Sequence, residues 1–226
     1  MSIAICATVW GTFWDRFGAQ FIEQMEKLNT EPDEIIISSP KPLNLPKHWH
    51  EIVQPHHKWN NWNDTMFAAW SDWVMPVGMD DIWFPDALDG LTDVEDDVDV
   101  ISVPCMENGK RWEATIDGYN QLLELPYNPM QGAYLIRRSR LNAVPFRHVI
   151  YNDWMQFMEM KKLNYKITFK TMPILDHIRR PDSYSIGVIP GGVEECEQMR
   201  QILLKYDVVP GTEFPPTLKE CKTHSL

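Results

Sequence analysis

An apolar run over residues 73–77 leads through Gly78 and Met79 into two adjacent carboxylates, Asp80 and Asp81. Oxygen donors at the end of a short apolar segment are what a hard divalent cation takes. A further acid, Asp153, follows Asn152 at the predicted start of a helix over 152–163. Asn152 is the expected N-cap, which places Asp153 in the first turn. The helix dipole favours the anionic form there, so this carboxylate is ready to accept a proton at neutral pH. Two other clusters carry less chemistry. His48, His50, His56 and His57 form no i, i+4 helical pair, and Pro55 interrupts them, so a zinc site is the lesser reading. The acids between 86 and 99 lack the spacing of a calcium loop and read as a solvated helix end and loop.

These acids need a scaffold, and the hydrophobic pattern supplies one. Residues 3–9 read as a buried strand, and Thr12 with Asp15 has the form of a helix start. Trp14, Phe17, Phe21, Met25 and Leu28 share one face of that helix. Residues 34–38 are a β-branched strand closed by Pro40 and Pro42. A short strand over 51–54, a helix over 63–70 and a buried strand over 73–77 follow. The order β-α-β-β-α-β predicts an α/β fold with a mostly parallel, mixed central sheet flanked by helices. Ligands bind such sheets at the carboxyl ends of the strands, here Thr8 to Trp10, Ser38 to Ser39, and Gly78 to Asp81. Strands over 98–103, 133–137 and 165–169 extend the sheet. A helix over 193–206 precedes a loosely ordered tail.

The 226 residues include 32 acidic and 21 basic side chains, a net charge of −11. This balance excludes a general nucleic-acid binder, although Arg and Lys crowd the segment from 137 to 180. Cysteines 6, 105, 196 and 221 form no C-x-x-C pair and read as reduced thiols, mostly buried. The apolar N-terminus has no basic leader region, and no run of 18 apolar residues occurs, so the expectation is a cytoplasmic protein without a membrane span.

The stretch 63–88, NDTMFAAWSDWVMPVGMDDIWFPDAL, resembles the GT-A-fold glycosyltransferases, in particular the large family-2-like group. In that group an Asn opens a helix, an acidic turn leads to an apolar strand, and the strand ends in D-x-D-D followed by an aromatic residue and Pro-Asp-x-Leu. Asn63, Asp72, Asp80-Asp81, Trp83 and Pro85-Asp86-Ala87-Leu88 fall at those positions without a gap. Gly132 to Arg138 is similar to the family's acceptor-side glycine strand, Asn152-Asp153-Trp154 to its acid-Asp-Trp motif, and 178–185 to its basic closing segment. The likeness covers about residues 2–185, which it implies to be the catalytic domain, with 186–226 as a helix and tail. Two departures stand out: Gly78 replaces the first Asp of D-x-D, and Ser38-Ser39 replaces the carboxylates that often meet the nucleotide.

The resemblance implies a metal-dependent, inverting transferase moving a sugar from a nucleotide-sugar, a UDP-sugar first, to an acceptor hydroxyl. Mn²⁺ or Mg²⁺ would neutralise the leaving diphosphate. It implies Asp80 and His177 as metal contacts, with Asp81 as the fallback ligand or a contact to ribose or donor sugar. Thr8, Trp10, Ser39, Trp62, Asn63 and Arg179 would contact the donor, Trp10 by stacking on the base. Arg137, Arg138 and Arg180 could meet diphosphate or an anionic acceptor. Asp153 is the implied catalytic base. Trp70, Trp73, Trp83 and Trp154 are expected to pack in the core. The acceptor stays open among a glycan, a protein and a modified nucleobase. The rival reading is a non-catalytic sugar or nucleotide-sugar binding protein on the same scaffold. A sugar nucleotidyltransferase would want a glycine-rich basic loop, which residues 7–18 lack.

Overall fold

The computed structural model describes residues 1–55, 58–125, 128–130, 132–146 and 152–178, with isolated positions between 197 and 205. In chain order its elements are β1 (Ile3–Thr8), α1 (Phe13–Glu26), β2 (Glu34–Ser39), β3 (His50–Val53), α2 (Lys58–Ala68), β4 (Trp73–Pro76), β5 (Ile82–Trp83) and β6 (Val100–Val103). There follow β7 (Cys105–Glu107), β8 (Lys110–Trp112), α3 (Ile116–Asn120), β9 (Ala133–Arg137), α4 (Arg138–Leu141), α5 (Asn152–Lys162), β10 (Ile167–Phe169) and β11 (Leu175–His177).

Seven strands form one sheet in the order β10-β6-β9-β4-β1-β2-β3. β9 runs antiparallel to both β4 and β6, and the remaining pairs are parallel. Both faces are covered, so the inner strands read as continuous apolar runs whose alternate residues serve opposite cores. Ile3, Ile5 and Ala7 of β1, Ile35 and Ile37 of β2, and Trp73 and Met75 of β4 pack with Phe17, Phe21 and Met25 of α1. Ala4, Cys6, Ile36 and Val74 point the other way, to Met66 of α2 and to Trp154, Met155 and Met158 of α5. The alternation (period two on the strands) produces two hydrophobic layers from one set of runs.

A buried carboxylate fixes the turn between α2 and β4. Glu34, 3% exposed, accepts hydrogen bonds from Trp70 N (2.9 Å), Ser71 N (2.7 Å) and Ser71 Oγ (2.6 Å). Arg138 closes the same end of α2, donating from Nε to Ala69 O (2.8 Å) and from its terminal nitrogen to Phe67 O (2.6 Å). These carbonyls lie at the helix C-terminus, where a cation is favoured.

β4 and β9 then separate. Their pairing covers Trp73 with Arg137 and Val74 with Ile136. Val77 N donates to Cys6 O of β1 (2.9 Å), so the nitrogen of Pro76, one residue earlier, faces β9. Proline has no N–H to give that neighbour. Beyond Val74 the sheet opens into a cleft between the end of β4 and the start of β9.

Several details differ from the sequence expectations. α2 begins at Lys58, five residues before Asn63, so Asn63 lies within the helix rather than opening it. Thr12 precedes α1 without a side-chain cap bond. Asn152 is the first helical residue of α5 rather than a residue before it. Trp73, Trp83 and Trp154 are buried, but Trp70 is 67% exposed, because the Glu34 clamp holds its backbone and leaves the ring outside. Residues 191–196 and 206–226, with most of the expected tail helix, lie outside the described set; Glu197, Gln198, Gln201, Leu204 and Lys205 are helical.

Candidate active site

The carboxyl ends of β1, β2 and β4 lie side by side. Val9 N donates to Ser38 O (2.8 Å), which aligns the first two. Thr8 is buried there, and its Oγ1 has no hydrogen-bond partner among the described residues. Trp10 is half-buried, with its ring 4.6 Å from that of Phe13. Ser38 Oγ accepts from Asn61 Nδ2 (2.7 Å) and Gln54 Nε2 (3.1 Å). Ser39 Oγ lies 2.6 Å from Lys41 O and 3.0 Å from Glu51 Oε1.

The acid turn after β4 is tightly built. Asp80 and Asp81 are 9% and 5% exposed. A Cβ added at Gly78 would lie 3.1 Å from Asp80 Oδ1 and 3.1 Å from Asp81 Oδ2. The two carboxylates thus converge on the space that a side chain at 78 would enter. Gln24 of α1 holds the turn from behind: its Nε2 donates to Asp81 O (3.2 Å), and its Oε1 accepts from Trp83 N (2.7 Å). His177 Nδ1 meets Asp81 Oδ1 at 2.7 Å.

His177 arrives on a second sheet, ordered β5-β11-β7-β8, which the sequence reading did not anticipate. Its strands have only two or three residues each, too few to show a period. One signal was present. Asn108-Gly109 joins β7 to β8 with φ of 50° and 79°, and Asn-Gly with both residues at positive φ is the strongest short hairpin mark. Register sets Cys105 opposite Trp112, and Glu107 beside His177 and opposite Lys110. Residues two apart share a face, so Cys105, Glu107, Trp112, Leu175 and His177 form a single wall.

That wall faces the cleft between β4 and β9, enclosing a cavity of about 360 Å³. Its other sides are Pro76, Val77, Gly78, Asp81, Met130, Gly132, Ala133 and Asp153. Asp153, in the first turn of α5, has its Oδ2 3.1 Å from Asn128 Nδ2. Asn128 Oδ1 also accepts from Met130 N (2.9 Å), which ties the Met130 wall to the acid. Burial, with the nearby carboxylates, pushes the Cys105 thiol up to about 11, so it stays protonated.

Gly132 is essential to this shape. Its φ is +109°, and a Cβ there would stand 2.4 Å from Val103 O. Gly132→Ala is expected to lower unfolding free energy by about 1–3 kcal/mol and to distort the start of β9, measurable by urea denaturation.

No protein-family model matches the sequence, and no curated protein matches it. Solved structures do match in fold. S. aureus TarS 1–349 in complex with UDP-GlcNAc gives a TM-score of 0.68 at 12% identity, over 92% of this chain and 68% of that one. The mannosyltransferase PcManGT from Pyrobaculum calidifontis, with GDP-Man and Mn²⁺, gives 0.57 at 13% identity, over 80% and 58%. Glucosyl-3-phosphoglycerate synthase from Mycobacterium tuberculosis, with Mn²⁺, UDP and glucosyl-3-phosphoglycerate, gives 0.53 at 12% identity, over 90% and 77%. The fold is GT-A. The chain spans 41% of a longer TarS chain that it also matches.

Within the GT-A fold, the structure separates the sequence-predicted residues. Asp81, His177 and Asp153 line one cavity, and Asp80 converges on its Gly78 edge. Thr8, Trp10 and Ser39 stand at the neighbouring strand ends, outside its lining. Asn63 is engaged elsewhere: its amide exchanges two hydrogen bonds with the backbone of Phe146, at 2.9 Å and 2.8 Å. Trp62 packs edge-on against the Phe146 ring. Arg137 donates to Val98 O and Asp96 O and lies over Trp73, and Arg138 holds the end of α2, so neither guanidinium is directed into the cavity. Arg179, Arg180, His56 and His57 lie outside the described residues. His48 and His50 show no metal-type grouping. Among the described residues, no set of three or more His, Cys, Asp or Glu side chains forms a ready-made metal cage.

The hydrogen bond to Asp81 raises the His177 pKa above its ordinary value, against the opposing effect of burial. A raised folded pKa stabilises below the unfolded pKa, about 6.5. That contribution fades as pH rises through the folded value. In chelator, therefore, the melting temperature of wild type is expected to fall relative to His177→Gln as pH increases from about 6 upward.

Proposed function

We propose that the chain is a nucleotide-sugar-dependent glycosyltransferase acting by direct, inverting displacement. The observation that carries this reading is the meeting of the acid turn, His177 and Asp153 on one cavity at the carboxyl ends of the sheet. The GT-A fold supports it, since structures sharing that fold hold UDP-GlcNAc, UDP or GDP-Man. A UDP-sugar is the first donor to test.

The paired carboxylates at the turn suit Mn²⁺ or Mg²⁺, with diphosphate oxygens and water to complete the ligand set. Asp80 and Asp81 would hold the cation, with His177 adjoining, and the cation would neutralise charge on the leaving diphosphate. Asp153 would take the proton from the acceptor hydroxyl. The acceptor oxygen then bonds to the anomeric carbon as the bond to the diphosphate oxygen breaks. Attack from the face opposite the leaving group inverts that centre. Thr8, Trp10 and Ser39 would border the nucleotide, and Arg179 would approach the diphosphate. Residues 1–185 would form the catalytic unit. The buried free thiols Cys6 and Cys105 support a reducing, cytoplasmic setting. No helix among the described residues is long and apolar enough to cross a membrane.

Gly78 favours a second reading, a binding protein that retains the scaffold without turnover. Against it, Asp80 and Asp81 already fill the space next to Gly78, so carboxylate oxygens are present where the first aspartate of the family pattern would project. Release of nucleoside diphosphate from a panel of UDP- and GDP-sugars, with Mn²⁺ or Mg²⁺, decides between them. Turnover of one donor supports the transferase, and donor binding without turnover supports the alternative.

A further inference from the structure

We propose that Gln24 is a positioning residue of the donor site: its amide holds the backbone of the acid turn so that the Asp81 carboxylate faces Gly78. This rests on the transferase reading and adds to it a residue outside the cavity lining. The sequence marks Gln24 as out of place. It stands three residues after Phe21 and four before Leu28, so it shares the apolar face of α1. Phe17, Phe21, Met25 and Leu28 on that face are buried in one core cluster with Trp83. A polar side chain on a core-facing stripe must find partners.

Gln24 finds them in the turn. Nε2 donates to Asp81 O (3.2 Å), and Oε1 accepts from Trp83 N (2.7 Å). Only one orientation of the amide satisfies both bonds. β5 has two residues, and its pairing with β11 sets Ile82 opposite Asp176 and Trp83 opposite Leu175. On that edge Phe84 N donates to Ile174 O (3.0 Å). Backbone groups of alternate residues face opposite edges of a strand, so those of Asp81 and Trp83 point away from β11. The Gln24 amide answers both of them, as the peptide of a second neighbouring strand would.

The bond at Asp81 O acts on the carboxylate. That carbonyl adjoins the Asp81 Cα, so swinging its peptide turns the side chain. The carboxylate meets two constraints at once: Oδ2 lies 3.1 Å from the place of a Cβ at Gly78, and Oδ1 is 2.7 Å from His177 Nδ1. A partner that orients a metal ligand without touching the metal is worth about 10–100-fold in affinity. The segment beyond the turn is anchored separately, since Asn29 N donates to Pro85 O (2.7 Å). Loss of the Gln24 amide should therefore loosen the turn and leave its surroundings in place.

The test is UDP binding to the full chain by titration calorimetry, with Mn²⁺ and separately in chelator. Gln24→Met keeps the length of the side chain and removes both bonds. It is expected to weaken Mn²⁺-dependent UDP binding about tenfold or more, to leave binding in chelator unchanged, and to unfold in one cooperative transition. Gln24→Asn keeps the amide on a side chain one methylene shorter, too short to make both bonds. It should weaken binding in the same way, and it carries the test if the Met variant fails to fold. In transfer assays both should raise donor KM and the Mn²⁺ requirement while acceptor KM stays the same. The proposal is overturned if a folded variant binds UDP with Mn²⁺ as wild type does, the result for a side chain that only supports α1. It is also overturned if UDP affinity falls equally with and without Mn²⁺. Mn²⁺-dependent binding lost in the variants, with no turnover of any donor, would uphold the role of Gln24 while removing the transferase reading. No Mn²⁺-dependent UDP binding by wild type would remove both.

Discussion

Replacing Asp153 by Asn is expected to cut sugar transfer by about 10²–10⁴-fold, the usual worth of a positioned general base. The substitution keeps the size of the side chain and its place in the first turn of α5. The bond to Asn128 joins a carboxylate oxygen to an amide nitrogen, and the new amide can still accept through its own oxygen. What it loses is the ability to take a proton. The effect should therefore fall on kcat, with donor KM changed little, since in the proposed reaction Asp153 serves the acceptor hydroxyl rather than the donor. The helix offers a control. An Asp in the first turn stabilises the dipole by about 0.3–1 kcal/mol, so the Asn protein should melt only slightly lower. A large kcat loss with a small melting shift identifies the base. Equal donor hydrolysis and transfer in both proteins would mean that the proton goes elsewhere.

Asp81→Asn is expected to be as damaging for a different reason, lowering transfer about a thousandfold through lost charge at the diphosphate. It replaces the Asp81 oxygen facing Gly78 by an uncharged amide nitrogen, while the remaining oxygen can still accept from His177. A binding measurement separates this from simple misfolding. At a hundred times its Kd, a ligand specific for the folded state adds about 2.7 kcal/mol to stability. Wild type with UDP and Mn²⁺ should show a thermal shift of that order, and Asp81→Asn should lose most of it. Asp80→Asn should lose it as well, while His177→Gln should keep a part. If both aspartate variants retain the full Mn²⁺-dependent shift, the cation is held by other groups.

The central sheet was readable because β1, β2 and β4 are buried on both faces, which makes them unbroken apolar runs. The acid turn was readable because its spacing from Asn63 through Leu88 follows a known family pattern. The second sheet was missed for a physical reason: strands as short as β7, β8 and β11 owe their pairing to tertiary packing, and two or three residues carry no periodicity. Only the Asn108-Gly109 turn marked it. Asn63 shows the opposite limit. Its position in the motif was legible, but its two bonds to Phe146 depend on a loop more than eighty residues away. The arginines at 137 and 138 looked like anion ligands in sequence, because nothing local shows that backbone carbonyls at Val98 and Ala69 take them.

The place of β9 has a consequence for how the chain is made. This strand alone joins the β4-β1-β2-β3 half of the large sheet to the β6-β10 half. During synthesis, β4 and β6 leave the ribosome well before residue 133, and each then exposes an unpaired edge. Open edges of apolar strands invite pairing with other chains. A nascent chain halted near residue 130 should therefore be captured by chaperones or aggregate, whereas one long enough for β9 to emerge can cover the open edges of β4 and β6.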